Sequence, residues 1–478
     1  MSAFSECFNR IKDEKNLRCI DMARMCDMDV TVIFRWLNGE RLPAGIDKIG
    51  KLQYGLRLTE EEKNKLEKAY IISIYGETAY NNFEEIVKVI TKMQKSRHRK
   101  KEENIIWTTE YNNTDTEISI NKDFTVLNEK EKIIKKIVEM IVTSSHMKDK
   151  TLRFMAHSMS SELETIFTLH APNIQGFNIE LLYLTKSNEI EGLEQFVDIA
   201  FFKNDIQIWL SSETIGTTGM NTMIMGNMLL QYNDEMTEAI YTTYPEWIQM
   251  ESKTFSCIKG KAKMAGKKEL DGLQYVNVTY DDNSTIHVLE CQPCIMDFID
   301  ENMIRKHIYK DLPMREEMVS KIVNTYLLSN NFSKESTLYF TKEGLDDFMS
   351  TGTLMVFPYP VYAPFTLEER CAIVRKCTNL LYENNKQIRL IKDKRLSELR
   401  DLHIEYVKNG DEECVRLDVN FEGHQKERMV FNDPFITRKF ADFFQCIQND
   451  KYIYSAEKTK QYMISILEKY ENQMNGTE

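Results

Sequence analysis

His287, Cys291 and Cys294 form an H-x3-C-x2-C cluster. A CxxC pair ligates a metal or cycles between dithiol and disulfide, and a nearby imidazole offers a third ligand. No second CxxC accompanies it, so structural thiols beside a strand are the simpler reading of one pair among ten cysteines. His157, His170 and His403 stand isolated, as surface or core histidines do. No glycine-rich phosphate-binding loop occurs, and no cofactor is implied. A different chemistry is suggested by residues 22–43, MARMCDMDVTVIFRWLNGERLP, where Arg35 and an Asn-Gly-x-Arg turn follow an apolar-rich helical run. The question there is whether the run is an ordinary helix corner or a DNA-reading element.

The elements that must position these residues follow from spacing and caps. Phe4, Phe8 and Ile11 recur at i, i+4, i+7 and predict a helix over residues 4–14. A second helix spans residues 18–25. Asp29 is a good N-cap for a third, residues 30–37, which ends at Asn38-Gly39, where glycine supplies a left-handed exit. Pro43 blocks continuation. Ile46, Ile49 and Leu52 mark a fourth helix over residues 46–54, and Thr59 with Glu62 makes a capping box for a fifth reaching residue 75.

Five short helices in so few residues, with three residues between the second and third, resemble the lambda-repressor-like (Cro type) helix-turn-helix family. Met22-Ala23 stands where that family has a large apolar and a small residue, Ile33 and Trp36 match the buried positions of its recognition helix, and residues 38–43, NGERLP, match its closing turn. Asp27 replaces a usual turn glycine, Phe34 a polar residue and Cys19 a common glutamine. The resemblance implies double-stranded DNA as partner, with the third helix in the major groove. Asp29, Val30, Thr31, Phe34 and Arg35 are then the residues facing DNA, Arg35 as a bidentate reader of guanine. Arg18, Arg41, Lys48 and Lys51 are candidates for phosphate contacts that position the head without specifying sequence. The alternative is a protein-binding adaptor whose head no longer binds DNA, favoured by two apolar groups and an aspartate on the reading face.

After the head, residues 78–101 read as one helix with Phe83, Ile86, Ile90 and Met93 on a seam. Its basic end, KMQKSRHRKK, lies along DNA, meets the acidic body or is a solvated linker. Polar residues 107–123 mark a boundary. Beyond them, helical periodicity alternates with strand-like runs at residues 178–184, 206–210 and 228–231, and a hairpin is expected over residues 275–289, giving a mixed α/β body. Two segments, YPEWIQMESKTFSCI and DPFITRKFADFFQCI, align Pro245 with Pro434, Phe255 with Phe444, Cys257 with Cys446 and Ile258 with Ile447. Two related lobes follow, each with a proline opening a helix. The expected fold is therefore an all-α head, residues 1–76, a linker, 77–125, and lobes over 126–312 and 313–478.

This layout is similar to bacterial regulators that join a DNA-binding head to a phospholipase-D-like sensor body. An active site of that type takes a histidine nucleophile and a lysine on one strand face, followed by an acid, from both lobes. His424-x-Lys426 supplies half of this, but Phe431 stands where the acid belongs, with Asp433 beyond it, and the first lobe offers Glu235 and Thr237 instead. No catalysis is expected, and no metal.

Composition agrees with a regulator. The 478 residues carry a net charge of −12, yet residues 1–101 hold 20 Lys+Arg against 15 Asp+Glu, leaving −17 on the remainder. A basic head on an acidic body lets one end approach a polyanion. The polar N-terminus and the lack of an apolar run near 18 residues lead to the expectation of a cytoplasmic protein with no membrane association and reduced cysteines. A homodimer is expected, because one small head makes too few contacts for a selective site. The body is expected to sense an unknown small-molecule or peptide effector.

Overall fold

The computed structural model describes residues 1–99, 118–121, 124–157, 163, 166–167, 171–174, 176–184, 205–212, 220–269, 284–293, 299–311, 315–326, 336–354, 362–383, 387–397, 399, 402–420 and 426–475. Helices come first: α1 (Ala3–Glu14), α2 (Cys19–Met25), α3 (Val30–Leu37), α4 (Ile46–Gly55), α5 (Glu60–Tyr75) and α6 (Glu77–Arg99). Side-chain oxygens of Ser2, Asp29 and Thr59 accept the orphan N–H groups of α1, α3 and α5, and Thr59 with Glu62 closes a reciprocal capping box. Phe4 anchors the head core, its ring 5.5 Å from Phe8, 6.4 Å from Trp36 and 6.2 Å from Tyr70. Asn9 donates to the Leu37 carbonyl at 2.7 Å, tying α1 to the last turn of α3.

The body is a mixed α/β structure. Its described helices are α7 (Lys130–Ser145), α8 (Ala171–Ile174), α9 (Pro245–Lys259), α10 (Glu301–His307), α11 (Arg315–Tyr326), α12 (Lys342–Thr351), α13 (Leu367–Glu383), α14 (Pro434–Ile447) and α15 (Ala456–Asn475). Its described strands are β1 (Ile118–Asn121), β2 (Phe124–Leu127), β3 (Thr151–Ala156), β4 (Asn178–Leu184), β5 (Asp205–Ser211), β6 (Asn221–Met225), β7 (Met228–Tyr232), β8 (Ala239–Thr242), β9 (Lys263–Glu269), β10 (Thr285–Glu290), β11 (Thr337–Phe340), β12 (Gln387–Leu390), β13 (Leu402–Asn409), β14 (Glu412–Asn420) and β15 (Lys426–Phe431). They form one sheet of 15 strands in the order β1-β2-β8-β7-β6-β3-β4-β5-β9-β15-β14-β13-β10-β11-β12. The hairpin expected over residues 275–289 falls mostly outside the described residues; its C-terminal part is β10.

The sheet contains the same motif twice. In the first half β3, β4 and β5 pair in parallel, β6 pairs antiparallel to β3, and β7 and β8 complete a meander that leads into α9. In the second half β10, β11 and β12 repeat the parallel triplet, β13 pairs antiparallel to β10, and β14 and β15 lead into α14. Pro245 and Pro434 sit at corresponding helix starts. Their fixed φ and missing N–H suit the first turn of a helix. Phe255 and Phe444 are both buried, as are Ile258 and Ile447, but Cys257 is exposed where Cys446 is buried.

Strand β9 is antiparallel to both β5 and β15, so the second half runs inverted relative to the first. Inversion turns the sheet face over. Accordingly α9 packs on Met155, Leu182 and Leu184, whereas Phe440 and Phe444 of α14 belong to the core on the opposite face, with Phe154, Leu181 and Ile208.

Helix α6 lies along α14. Phe83 is fully buried, stacked on Phe443 at 5.4 Å and tilted against Tyr452 at 4.4 Å, with Ile86, Val87 and Ile90 continuing the apolar stripe. Polar contacts flank it. Lys439 Nζ donates to both Glu85 oxygens at 2.8 and 2.7 Å, Arg395 Nη1 donates to Glu84 at 2.8 Å, and Asn82 Nδ2 donates to Asp442 Oδ2 at 2.8 Å. Lys451 pairs with Glu67 of α5 at 2.7 Å. Lys439 and Asp442 are themselves buried, so their contacts with Glu85 and Asn82 add to the burial of Phe83, whereas the pair made by the exposed Arg395 contributes little. Phe83→Ala is expected to destabilise the protein by about 3–5 kcal/mol, measured by denaturant unfolding of the full chain.

Candidate functional site

The turn between α2 and α3 requires a left-handed residue, and Asp27 fills it at φ +50°. A short polar side chain tolerates that conformation better than most. The Met28 N–H then donates to the Ala23 carbonyl at 2.9 Å, closing the end of α2. Ile33, Trp36 and Leu37 turn inward and are buried. The opposite face of α3 is open in the full chain, with Val30 43% and Phe34 52% exposed and Thr31 and Arg35 exposed beside them.

All nine residues singled out in the sequence lie on the head surface: Arg18, Asp29, Val30, Thr31, Phe34, Arg35, Arg41, Lys48 and Lys51 are exposed. They are not chemically equivalent. Asp29 accepts from the Thr31 N–H at 2.7 Å and from the Thr31 hydroxyl, so both side chains serve the start of α3. These Thr31 hydrogen bonds, side chain first, hold the Asp29 carboxyl below the usual carboxylate range. Arg18 pairs with Asp21 at 2.8 Å, which spends part of its charge within α2.

Arg35, Arg41, Lys48 and Lys51 instead surround a concavity of about 330 Å³ beside α3, with Asp29 and Val32 on its wall. Among the described residues these four cations make no ion pair. Their spacing across three successive segments, helix α3, the following turn and helix α4, makes a curved cationic surface. Such a surface suits a polyanion, and the open face of α3 adjoins it.

The other chemical candidates separate in space. His287 lies on β10, stacked on Phe444 at 5.5 Å, and burial pushes its imidazole down to about 4. Cys291 is buried four residues along, about 13 Å at strand rise, too far to share one metal ion with His287. Cys294 and His424 lie outside the described residues. Phe431 is buried against Gly266 on the neighbouring β9, and Asp433 caps α14 by accepting from Phe435 and Ile436 N–H groups at 2.9 and 3.3 Å. Glu235 and Thr237 are exposed in the turn between β7 and β8.

A charged row escaped the sequence reading. Glu290, His403, Asp418 and Arg428 are register neighbours across β10, β13, β14 and β15. His403 Nδ1 lies 3.1 Å from Glu290 Oε2, Arg428 forks onto Asp418 at 2.7 and 2.8 Å, and Arg416 donates to Glu405 at 2.8 Å. His403 is thus not isolated. Alternation of charged with apolar residues along residues 402–409 was the available signal.

No protein-family description and no curated protein matches the chain. Solved structures similar to it include the polyphosphate kinase of Porphyromonas gingivalis, at 12% identity over 70% of this chain and 54% of that one, TM-score 0.21. The chain thus spans about half of that kinase. The phosphatidylserine synthase of Haemophilus influenzae Rd KW20 matches at 11% identity over 74% and 93%, TM-score 0.22. TrmBL2, an archaeal chromatin protein with a novel mode of DNA binding, matches at 11% identity over 42% and 70%, TM-score 0.20. Two of the three are enzymes. The expectation that the chain has no catalytic activity is corrected on that finding, and the broken His-x-Lys spacing does not decide the matter. Among the described residues no helix is long and apolar enough to cross a membrane.

The capping geometry at α3 has a measurable outcome. Asp29→Ala lowers the thermal midpoint followed by circular dichroism, whereas Asp29→Asn, which keeps an oxygen acceptor, leaves it near the wild-type value.

Proposed function

We propose that the chain is a cytoplasmic, sequence-specific DNA-binding regulator of the helix-turn-helix type. Its head presents α3 to a major groove, and its body senses a ligand or partner. The observation that supports this most is the cationic concavity of Arg35, Arg41, Lys48 and Lys51 beside an open α3 face. Arg35 and Val30 read base edges; Arg41, Lys48 and Lys51 neutralise phosphates. The acidic remainder, at −17 outside residues 1–101, keeps DNA on the head. Two copies of the chain supply two heads for one site.

One observation favours a protein-binding adaptor instead: Ile20, Met25, Val30 and Phe34 are all exposed on α2 and α3. The two readings part on DNA. Selection of binding sites from random duplexes by the full-length protein, followed by anisotropy titration, is expected to yield a preferred sequence. On it, Arg35→Ala costs about 1–3 kcal/mol and relaxes preference at one position. Contacts to three phosphates per head, through Arg41, Lys48 and Lys51, give a salt slope near −2.7 for each head engaged. Absence of any preferred duplex, or Arg35→Ala binding as wild type, overturns the regulator reading.

A further inference from the structure

Helix α14 has an exposed face besides the buried one that holds α6. Together with the ends of β10 and β13 it forms an open depression of about 580 Å³ whose lining includes His287, Lys408, Arg438, Ala441, Asp442 and Gln445. Arg438, Ala441 and Gln445 are three and four residues apart and share one helix face. Arg438 is 74% exposed, and its Nε lies 3.2 Å from Asp442 Oδ1, so most of the guanidinium faces solvent. Gln445 is exposed, and its amide makes no hydrogen bond among the described residues. Ala441 leaves room between them.

These groups set the chemistry of an occupant. A solvent-exposed guanidinium binds a phosphate or carboxylate, and a primary amide pairs with the donor–acceptor edge of a heterocycle. Seven residues of helix separate the two groups by about 10 Å, so the occupant must be anionic at one end and amide-like at the other across that span. Lys408, 3.3 Å from Glu413, adds a cation at the rim. His287 contributes a neutral ring beneath, because its burial disfavours the imidazolium.

We propose that this depression binds a nucleoside monophosphate, phosphate on Arg438 and base edge on Gln445, and that occupancy reaches the head through Asp442. Asp442 is only 4% exposed and holds Arg438 with one oxygen and Asn82 of α6 with the other. A phosphate that draws Arg438 away changes the charge that Asn82 feels. The coupling to the head rests on the DNA-binding reading; the binding site does not.

Isothermal titration of the full-length protein with AMP, GMP, CMP and UMP, their nucleosides and inorganic phosphate tests the site directly. At least one monophosphate is expected to bind more tightly than its nucleoside or phosphate alone. Arg438→Ala and Gln445→Ala each weaken it about tenfold or more, and the exposed Gln445→Ala does so with the melting curve unchanged. No binding by any monophosphate, phosphate binding as tightly as the nucleotide, or variants binding as wild type overturns the site. On a selected duplex the bound nucleotide is expected to shift DNA affinity, and Asn82→Ala to abolish the shift while keeping nucleotide affinity. A wild-type affinity indifferent to nucleotide overturns the coupling. Failure to bind DNA leaves the calorimetric result standing, so the two readings fail separately.

Discussion

The head meets the body chiefly through the apolar seam between α6 and α14. Phe83 sits between Phe443 and Tyr452 with no exposure, and the buried Lys439 and Asp442 pair across the seam beside it. A helix with apolar residues at three- and four-residue intervals must bury that stripe somewhere, and the only way here is onto the body. Once α6 is fixed, α5 and the core around Phe4 are fixed with it. The open face of α3 then points away from the protein, which is the condition for it to contact anything else.

Local chemistry was legible in the sequence and long-range register was not. The bounds of α3, residues 30–37, follow from Asp29 before it and Asn38-Gly39 after it, all decided within a dozen residues. Strands β13 and β14 went unread because Glu405, Arg416 and Asp418 occupy buried positions, where an apolar alternation was sought. Their partners are eleven, eleven and ten residues away, and the pairing exists only once the strands align. The repeated proline-helix segments did reveal the duplication, since proline acts locally. The cysteines in the same alignment carried no such constraint, and Cys257 and Cys446 diverge in burial. Among the candidate site residues, exposure was readable from helical phase. That Asp29, read as the cap of α3, also accepts from the Thr31 hydroxyl, and that Arg18 binds Asp21, was not.

The charged row across the second half illustrates what buried ion pairs do in a sheet. Removing Arg428 and Asp418 from water is costly, and their mutual attraction offsets that cost only with good geometry, which the bidentate fork supplies. A slip of one residue would turn Asp418 to the other face and leave Arg428 buried alone. Such a row penalises wrong alignments more than it rewards the right one. The lobe that carries α14, and through it the head, is the one so restrained.

Strand β9 ends the first half and borders the second, pairing along both of its sides. Neither half therefore possesses a finished rim at that junction. Dividing the chain there would leave two raw hydrogen-bonding edges, each ready to recruit a stranger's strand. The duplicated body can thus be copied and inverted, but it cannot be halved, and any rearrangement of the gene that separates the lobes must first provide a new strand to close each side.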